Sequence, residues 1–217
     1  MPKNSRKTKV LQHPTRVATK QNSVAVQEKK TVANSWLEVP DEATLPPQVQ
    51  ALFQEQRDRY GFVHSFFLGY SLNPEHLLLW FNYYNALMHG KGELSPKERE
   101  IIAIVSSAAN HCESCVITHK AHLREVIKDP VFPDALARNH QEVELTQREL
   151  ALVDFAIKIN QNAKELSPED LKPLRQAGLS DRAILEAGEI AAQFSLSNRL
   201  TKAFGWKVSS EYDKLYR

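Results

Sequence analysis

The chain has 217 residues, of which 42% are hydrophobic and 25% are charged, so it is long enough and apolar enough to fold around a core. Two cysteines are too few for a disulfide-stapled secreted scaffold, and seven glycines are few for nucleotide-cradling loops or tight hairpins. No run of about 18 apolar residues occurs, so no membrane span and no membrane partner are predicted.

The first 35 residues are predicted to be a disordered basic tail that precedes a helical domain over residues 36–217. They carry eight Lys or Arg against one acid, Glu28, so the tail is +7 and the remainder −5 within a total of +2. Without an apolar stripe, the tail cannot bury enough surface to offset its conformational entropy. It also lacks aromatic residues that could stack on bases, so no nucleic-acid partner is predicted. We expect a cytoplasmic protein, or a mitochondrial one if the tail is a targeting segment.

The rest of the chain has helix signals from end to end. Each predicted helix starts at a Pro, Ser or Thr, and several stop at a Gly. The starts follow Leu45, Asn73, Ser95, Thr146 and Ser180, and the stops are Gly61, Gly90 and Gly205. Runs of alternating β-branched residues between turns are missing outside the tail. The sequence therefore predicts an all-α fold.

Both cysteines lie in one short stretch. Asn110 is a favoured N-cap, and Glu113 would then take the third helical position of a capping box. This interpretation places Cys112 and Cys115 in the first turns of a helix. At about 100° per residue, Cys115 stands about 60° around the axis from Cys112, and His119 about 40° from Cys115. Two sulfurs and one imidazole are therefore expected on one helix face.

The position of these thiols in a helix does not by itself make them reactive. Ionising half of a thiol of pKa about 8.5 at pH 7 takes about 2 kcal/mol, whereas an exposed helix N-terminus supplies about 0.3–1 kcal/mol. An imidazole that accepts the proton can supply the rest, and His119 lies one turn from Cys115. Cys115 is therefore the predicted nucleophile, and Cys112 its resolving partner.

Glu100 is the predicted third group behind the nucleophile and its base. On one continuous helix it would lie about 28 Å from His119, at 1.5 Å per residue. If the chain instead folds back at residues 109–111, Glu100 comes opposite His119. A carboxylate beside the buried stripe of its helix needs a partner, so we expect Glu100 to orient His119 and exchange a proton with it.

These four residues, in their order and spacing, resemble the AhpD-like alkylhydroperoxidases of the carboxymuconolactone decarboxylase superfamily. The similarity runs from about Tyr60 to the end of the chain. The segment 94–100 and the pair Asn198-Arg199 look like the peroxidase-related branch. The resemblance implies an all-α AhpD-like bundle with a helix hairpin that carries the CxxC motif. It also implies assembly into homo-oligomers, often trimers or hexamers.

The resemblance further implies a cofactor-independent thiol peroxidase that reduces hydrogen peroxide or organic hydroperoxides. In such a cycle Cys115 attacks the O–O bond and Cys112 resolves the sulfenic acid as a disulfide. A dithiol partner, such as a lipoyl or thioredoxin-like protein, then reduces the disulfide. The proton relay of the family falls on Glu100, His119 and Cys115. The best-characterised members carry a His immediately before the second cysteine, where this chain has Ser114.

Two other functions fit the same residues. A redox- or zinc-sensing scaffold would take three ligands from the CxxC pair and His119. Its fourth ligand would be His122 or His111. A tetrahedral cage is hard to build from one continuous helix, so no metal ligand is assigned. A decarboxylase-type enzyme on the same fold is the other alternative, and it would not need the cysteines.

The remaining polar signals are weaker. Asn198 and Arg199 interrupt the apolar pattern of the last helix, which predicts a buried polar contact near the site. The aromatic residues between Phe66 and Tyr84 are expected to form core or a subunit interface. The histidines expected to be surface or capping groups are His64, His76, His89 and His140.

Overall fold

The structure, a computed structural model, describes residues 35–217, so the predicted tail lies outside the described residues except for Ser35. All regular structure within this range is helical, which confirms the all-α prediction. The α-helices are α1 (Pro47–Tyr60), α2 (Ser65–Tyr70), α3 (Pro74–His89), α4 (Pro96–Ala109), α5 (Glu113–Ile127), α6 (Phe132–Arg138), α7 (Gln147–Asn162), α8 (Lys172–Gln176) and α9 (Asp181–Ala203). Short 3₁₀ turns span Glu42–Thr44, His140–Glu142, Ala163–Glu165, Pro168–Leu171 and Ser210–Lys214.

The predicted start and stop signals act where the sequence places them. The Ser95 hydroxyl accepts from the Glu98 N–H at 3.2 Å, and the Glu98 carboxylate accepts from the Ser95 N–H at 2.7 Å. The same capping box opens α7 at Thr146. Gly61 ends α1 in the left-handed region, at φ 84°, where a side chain would be strained.

Helix α4 lies at the centre of the fold and packs against α5, α7 and α9. Its residues Ile101, Ile102 and Ile104 are completely buried. A second apolar cluster joins α1, α2 and α3 to Trp206. Gly69 permits this contact, because a Cβ there would lie 2.0 Å from the indole Nε1 of Trp206. Within residues 35–217, no helix combines the length and apolar character needed to cross a bilayer.

A three-residue turn joins α4 to α5, and it differs from the sequence prediction. Asn110 ends α4 instead of capping α5, and His111 then takes a positive φ of 53°. Cys112 is the N-cap of α5, and Glu113 is its first residue. The side chain of Asn110 is instead directed toward α7 and α9, where its NH2 group donates to Asn160 Oδ1 at 2.5 Å and to Asn198 Oδ1 at 3.0 Å. The capping interpretation of Asn110 and Glu113 was therefore wrong.

Candidate functional site

Helices α4 and α5 bring Glu100 and His119 into direct contact. His119 Nδ1 and Glu100 Oε2 are 2.7 Å apart, and the two residues are only 5% and 4% exposed. The chain therefore doubles back between them. Desolvation raises the pKa of Glu100 to about 7 and lowers that of His119 to about 3.

Near neutral pH this relay pair, Glu100 and His119, combines a neutral imidazole with a carboxyl group close to its midpoint of ionisation. When Glu100 is ionised, His119 donates its Nδ1–H to the carboxylate. The lone pair of His119 is then on Nε2, which is the tautomer that a general base requires.

The two cysteines are free thiols whose sulfurs lie 2.9 Å apart. The hydrogen bond between the two sulfurs lowers the pKa of Cys112. The bond to Cys112, together with burial, raises the pKa of Cys115. Cys112 is therefore the first of the two to ionise, whereas the sequence argument favoured ionisation of Cys115. Cys112 also stands at the N-terminus of α5, where the helix dipole stabilises a negative charge.

Cys115 is more accessible than Cys112, although Cys112 is the thiol whose pKa is lowered. Cys115 is 8% exposed and lines a cavity of about 400 Å³, together with Glu100 and His119. Cys112 is 2% exposed and lies behind Cys115. A small molecule in the cavity therefore reaches the sulfur of Cys115 first.

Helix α9 contributes two polar side chains to the sulfur pair. The polar side chains of Asn198 and Thr201 lower the pKa of both thiols, which partly offsets the effect of burial. Asn198 is completely buried and also donates to Ser107 Oγ at 3.1 Å. The predicted buried polar contact at Asn198 is thus confirmed. For Arg199 the prediction was wrong, because it is exposed and bonds back to Ser195 on its own helix.

His64 lines the same cavity, although the sequence argument placed it outside the site. Its Nδ1 caps α2 by accepting from the Phe66 N–H at 2.9 Å, so the capping prediction is confirmed. Its Nε2 must then carry the proton, which it donates to Thr118 Oγ1 at 2.9 Å. Thr118 in turn donates to the carbonyl of Ser114 at 2.9 Å. Both ring nitrogens of His64 are therefore occupied by structural bonds.

His122 also lies at the cavity, one turn beyond His119 on α5. Its Nδ1 is 3.9 Å from Glu100 Oε1, and its Nε2 is 3.4 Å from Tyr60 Oη. The three-residue spacing between His119 and His122 indicates that both imidazoles lie on one face of a helix. From the sequence, His122 was considered only as a fourth ligand of a zinc site that includes both cysteines. The ligand atoms of Glu100, His119 and His122 all lie within 4.8 Å of one another.

Aromatic side chains complete the cavity wall. Phe194 of α9 packs edge-on against His119 at a ring-centroid distance of 4.5 Å, and Tyr84 of α3 approaches the same ring at 6.3 Å. Tyr212, in the last 3₁₀ turn, packs against the ring of His122 at 5.7 Å. Neither Phe194 nor Tyr212 was singled out for the site from sequence, because α9 and the last turn are remote from the CxxC motif along the chain.

Comparisons with known proteins show which family and which solved structures this chain resembles. The sequence pattern of the carboxymuconolactone decarboxylase family matches residues 74–158. A solved structure from Ralstonia eutropha JMP134, described as an AhpD core and an uncharacterised peroxidase-related protein, is 34% identical. It superposes with a TM-score of 0.80 over 84% of this chain and 96% of that one. A peroxidase-related protein from Silicibacter sp. TM1040 is 30% identical, with a TM-score of 0.79 over 88% of this chain and 100% of that one.

A more distant likeness is to the debrominase Bmp8, which is 18% identical with a TM-score of 0.66 over 76% of this chain and 88% of that one. At this level of identity the likeness shows a shared fold alone. No curated protein sequence matches the chain.

Proposed function

The chain belongs to the carboxymuconolactone decarboxylase family and has the predicted AhpD-like fold, and on that premise we propose that it is a thiol peroxidase. Its substrate would be hydrogen peroxide or an organic hydroperoxide. One observation carries the proposal: a bonded Glu100–His119 pair lines the same cavity as Cys115, whose sulfur is 2.9 Å from that of Cys112. A nucleophile, a base with its orienting carboxylate, and a second thiol are thus within one site.

Cys115 is the proposed attacking group, because Cys115 lines the cavity and Cys112 does not. Its thiol gives up its proton to Nε2 of His119 as the sulfur attacks one peroxide oxygen. The O–O bond breaks, Cys115 is oxidised to a sulfenic acid, and the leaving alkoxide or hydroxide takes the proton back from His119. Glu100 holds the imidazole in place and stabilises its charged form.

Cys112 is the proposed resolving group. Its pKa is lowered by the hydrogen bond with Cys115, which increases the fraction of Cys112 that is thiolate near neutral pH. The thiolate attacks the sulfenic sulfur of Cys115, a disulfide forms, and the departing hydroxide takes up a proton to leave as water. A dithiol donor then reduces the disulfide and is itself oxidised.

The cavity supports an organic substrate as well as hydrogen peroxide. Its volume of about 400 Å³ far exceeds the roughly 30 Å³ share of a water molecule, and its walls include Phe66, Phe67, Trp80 and Phe194. Apolar walls favour the alkyl or aryl part of a hydroperoxide. Assembly into trimers or hexamers and reduction by a lipoyl or thioredoxin-like protein belong to the same proposal.

Peroxide consumption in the presence of a small dithiol tests the proposal. We expect turnover by the wild type and none by Cys115→Ser. Ser114→Ala is the matched control between the two cysteines, because the nearest partner of its hydroxyl is a carbonyl oxygen 3.5 Å away. Wild-type protein that consumes no peroxide with any dithiol, while both thiols are titratable, would refute the peroxidase. An activity on lactones or keto acids that survives loss of both cysteines would instead support the decarboxylase alternative.

A further inference from the structure

The carboxylate and two imidazoles at the cavity form a three-ligand cluster of Glu100, His119 and His122. We infer that this cluster binds a divalent transition-metal ion such as Zn²⁺ or Fe²⁺. Its ligand atoms lie within 4.8 Å of one another, and each comes from a buried or half-buried side chain. One carboxylate oxygen and two imidazole nitrogens are a donor set that suits these ions.

Two distances within the cluster, one to each carboxylate oxygen of Glu100, are near the spacing that a shared ion requires. Metal–ligand bonds of about 2.0–2.2 Å at tetrahedral angles place two donor atoms roughly 3.4 Å apart. His122 Nδ1 and Glu100 Oε1 are 3.9 Å apart, which is too long for a hydrogen bond and close to that spacing. His119 Nδ1 and Glu100 Oε2 are 2.7 Å apart, so their hydrogen bond would open by roughly 0.7 Å to admit the ion.

His122 supplies an independent reason to expect a ligand. Its Nδ1 is shielded from solvent and has no hydrogen-bond partner within residues 35–217. A buried nitrogen in this state costs free energy, and coordination to an ion would use its lone pair. On that tautomer Nε2 carries the proton and points to Tyr60 Oη at 3.4 Å. A second partner that fixes the other ring nitrogen is the usual support for a metal-binding histidine.

The site we infer is an open one that differs from the zinc site considered from the sequence. Three protein ligands leave at least one coordination position, and all three ligands line the cavity. Neither sulfur belongs to the cluster, whereas the earlier scheme used both cysteines. A bound ion at this place would therefore have nitrogen and oxygen ligands only.

Occupancy of the cluster would also exclude the proton relay, a consequence that rests on the proposed peroxidase. The ion takes the place of the proton on Nδ1 of His119, and that proton moves to Nε2 as the imidazole changes tautomer. His119 then cannot accept the thiol proton of Cys115. Metal binding and peroxide turnover would thus compete for the same pair of side chains.

Cobalt binding to the full-length, chelator-treated protein tests the site. Co²⁺ bound by nitrogen and oxygen gives visible d–d absorption without the near-ultraviolet charge transfer that a thiolate ligand produces. We expect one equivalent per chain with such a spectrum, both in the wild type and in the Cys112→Ser/Cys115→Ser double variant. This measurement needs no change to the cluster itself.

Replacement of His122 is the second test of the metal site. We expect His122→Gln to weaken Co²⁺ binding at least about tenfold, since even loss of an outer-shell partner weakens metal binding by about 10–100-fold. His111→Asn is the matched control, because His111 is an exposed histidine in the turn that precedes α5, and Asn tolerates its positive φ. Circular dichroism checks that each variant is folded.

Three outcomes would overturn the site: no cobalt binding by the wild type, binding that vanishes with the cysteines, or equal binding by His122→Gln. Loss of peroxide turnover is not among them, so failure of the peroxidase and failure of the metal site are distinguishable. If the peroxidase holds, Zn²⁺ added to the His122→Gln variant should inhibit turnover at least about tenfold less effectively than in the wild type.

Discussion

Acidification from pH 7 to pH 5.5 should destabilise the folded protein, because three histidines of the cavity are buried in neutral form. Burial lowers the pKa of His64, His119 and His122 to about 3 each. Below the ordinary value of 6.5 the unfolded chain binds protons at these positions and the folded chain does not. Stability is therefore lost as the pH falls through 6.5.

Protonation of Glu100 stabilises the fold over the same pH range. Its pKa is raised from 4.5 to about 7, so below pH 7 the folded chain holds a proton that the unfolded chain releases. Between pH 7 and pH 5.5 each histidine costs about 1 kcal/mol, whereas Glu100 contributes between about 1 and 2 kcal/mol in favour of the fold. The net expectation is a loss of about 2 kcal/mol in the free energy of unfolding.

Urea denaturation followed by circular dichroism at the two pH values measures this loss. His64→Gln should reduce the difference by about 1 kcal/mol, because it removes one of the three titrating histidines. His76→Gln, a change at an exposed histidine on α3, should leave the difference as it is in the wild type. Equal stability at both pH values, or greater stability at pH 5.5, would refute the view that these imidazoles are neutral in the fold.

Three further predictions concern the site. Cys115→Ser should abolish peroxide turnover. The Cys112→Ser variant should consume only one equivalent of peroxide and accumulate a sulfenic acid on Cys115, which dimedone traps. If dimedone instead traps Cys112 in the Cys115→Ser variant, the roles of the two cysteines are exchanged. Glu100→Gln should lower kcat about 10²–10⁴-fold without loss of helix content, because an amide that donates to Nδ1 of His119 leaves the proton on Nε2. An unchanged kcat would show that Glu100 is not part of the relay. Asn198→Ala should lower the free energy of unfolding by about 1–3 kcal/mol in urea denaturation, because it strands buried polar partners, and an unchanged midpoint would contradict that role.

The helix boundaries could be predicted well from sequence where the signals are local. A capping box needs only residues three apart, so the starts at Ser95 and Thr146 are encoded within one turn. The similar motif at Ser167 opens a 3₁₀ turn instead, which is followed by the short helix α8. Local capping chemistry thus marks where a helix starts and not how far it extends.

The turn before the CxxC motif could not be predicted, because its geometry depends on distant partners. Asparagine is a favoured N-cap residue, but the side-chain amide of Asn110 bonds to Asn160 and Asn198, which lie 50 and 88 residues away along the chain. Those contacts exist only after α7 and α9 have packed against α4. The helix therefore starts at Glu113, with Cys112 as its N-cap.

The order of ionisation of the two thiols was likewise beyond the sequence. The spacing of Cys112, Cys115 and His119 correctly indicates a shared neighbourhood, and the structure brings them together with Glu100. Which sulfur ionises first depends on burial, on the hydrogen bond between the sulfurs and on the polar side chains of α9. These influences act across the fold, so helical geometry alone does not determine which thiol ionises first.

The mass of the intact protein after one equivalent of peroxide tests the central claim most directly, namely that Cys112 and Cys115 form a redox pair. The account predicts a mass lower by two hydrogen atoms, with both cysteines blocked to alkylation until a dithiol is added. An unchanged mass with two alkylatable thiols, or a product that only gains oxygen atoms, would contradict it.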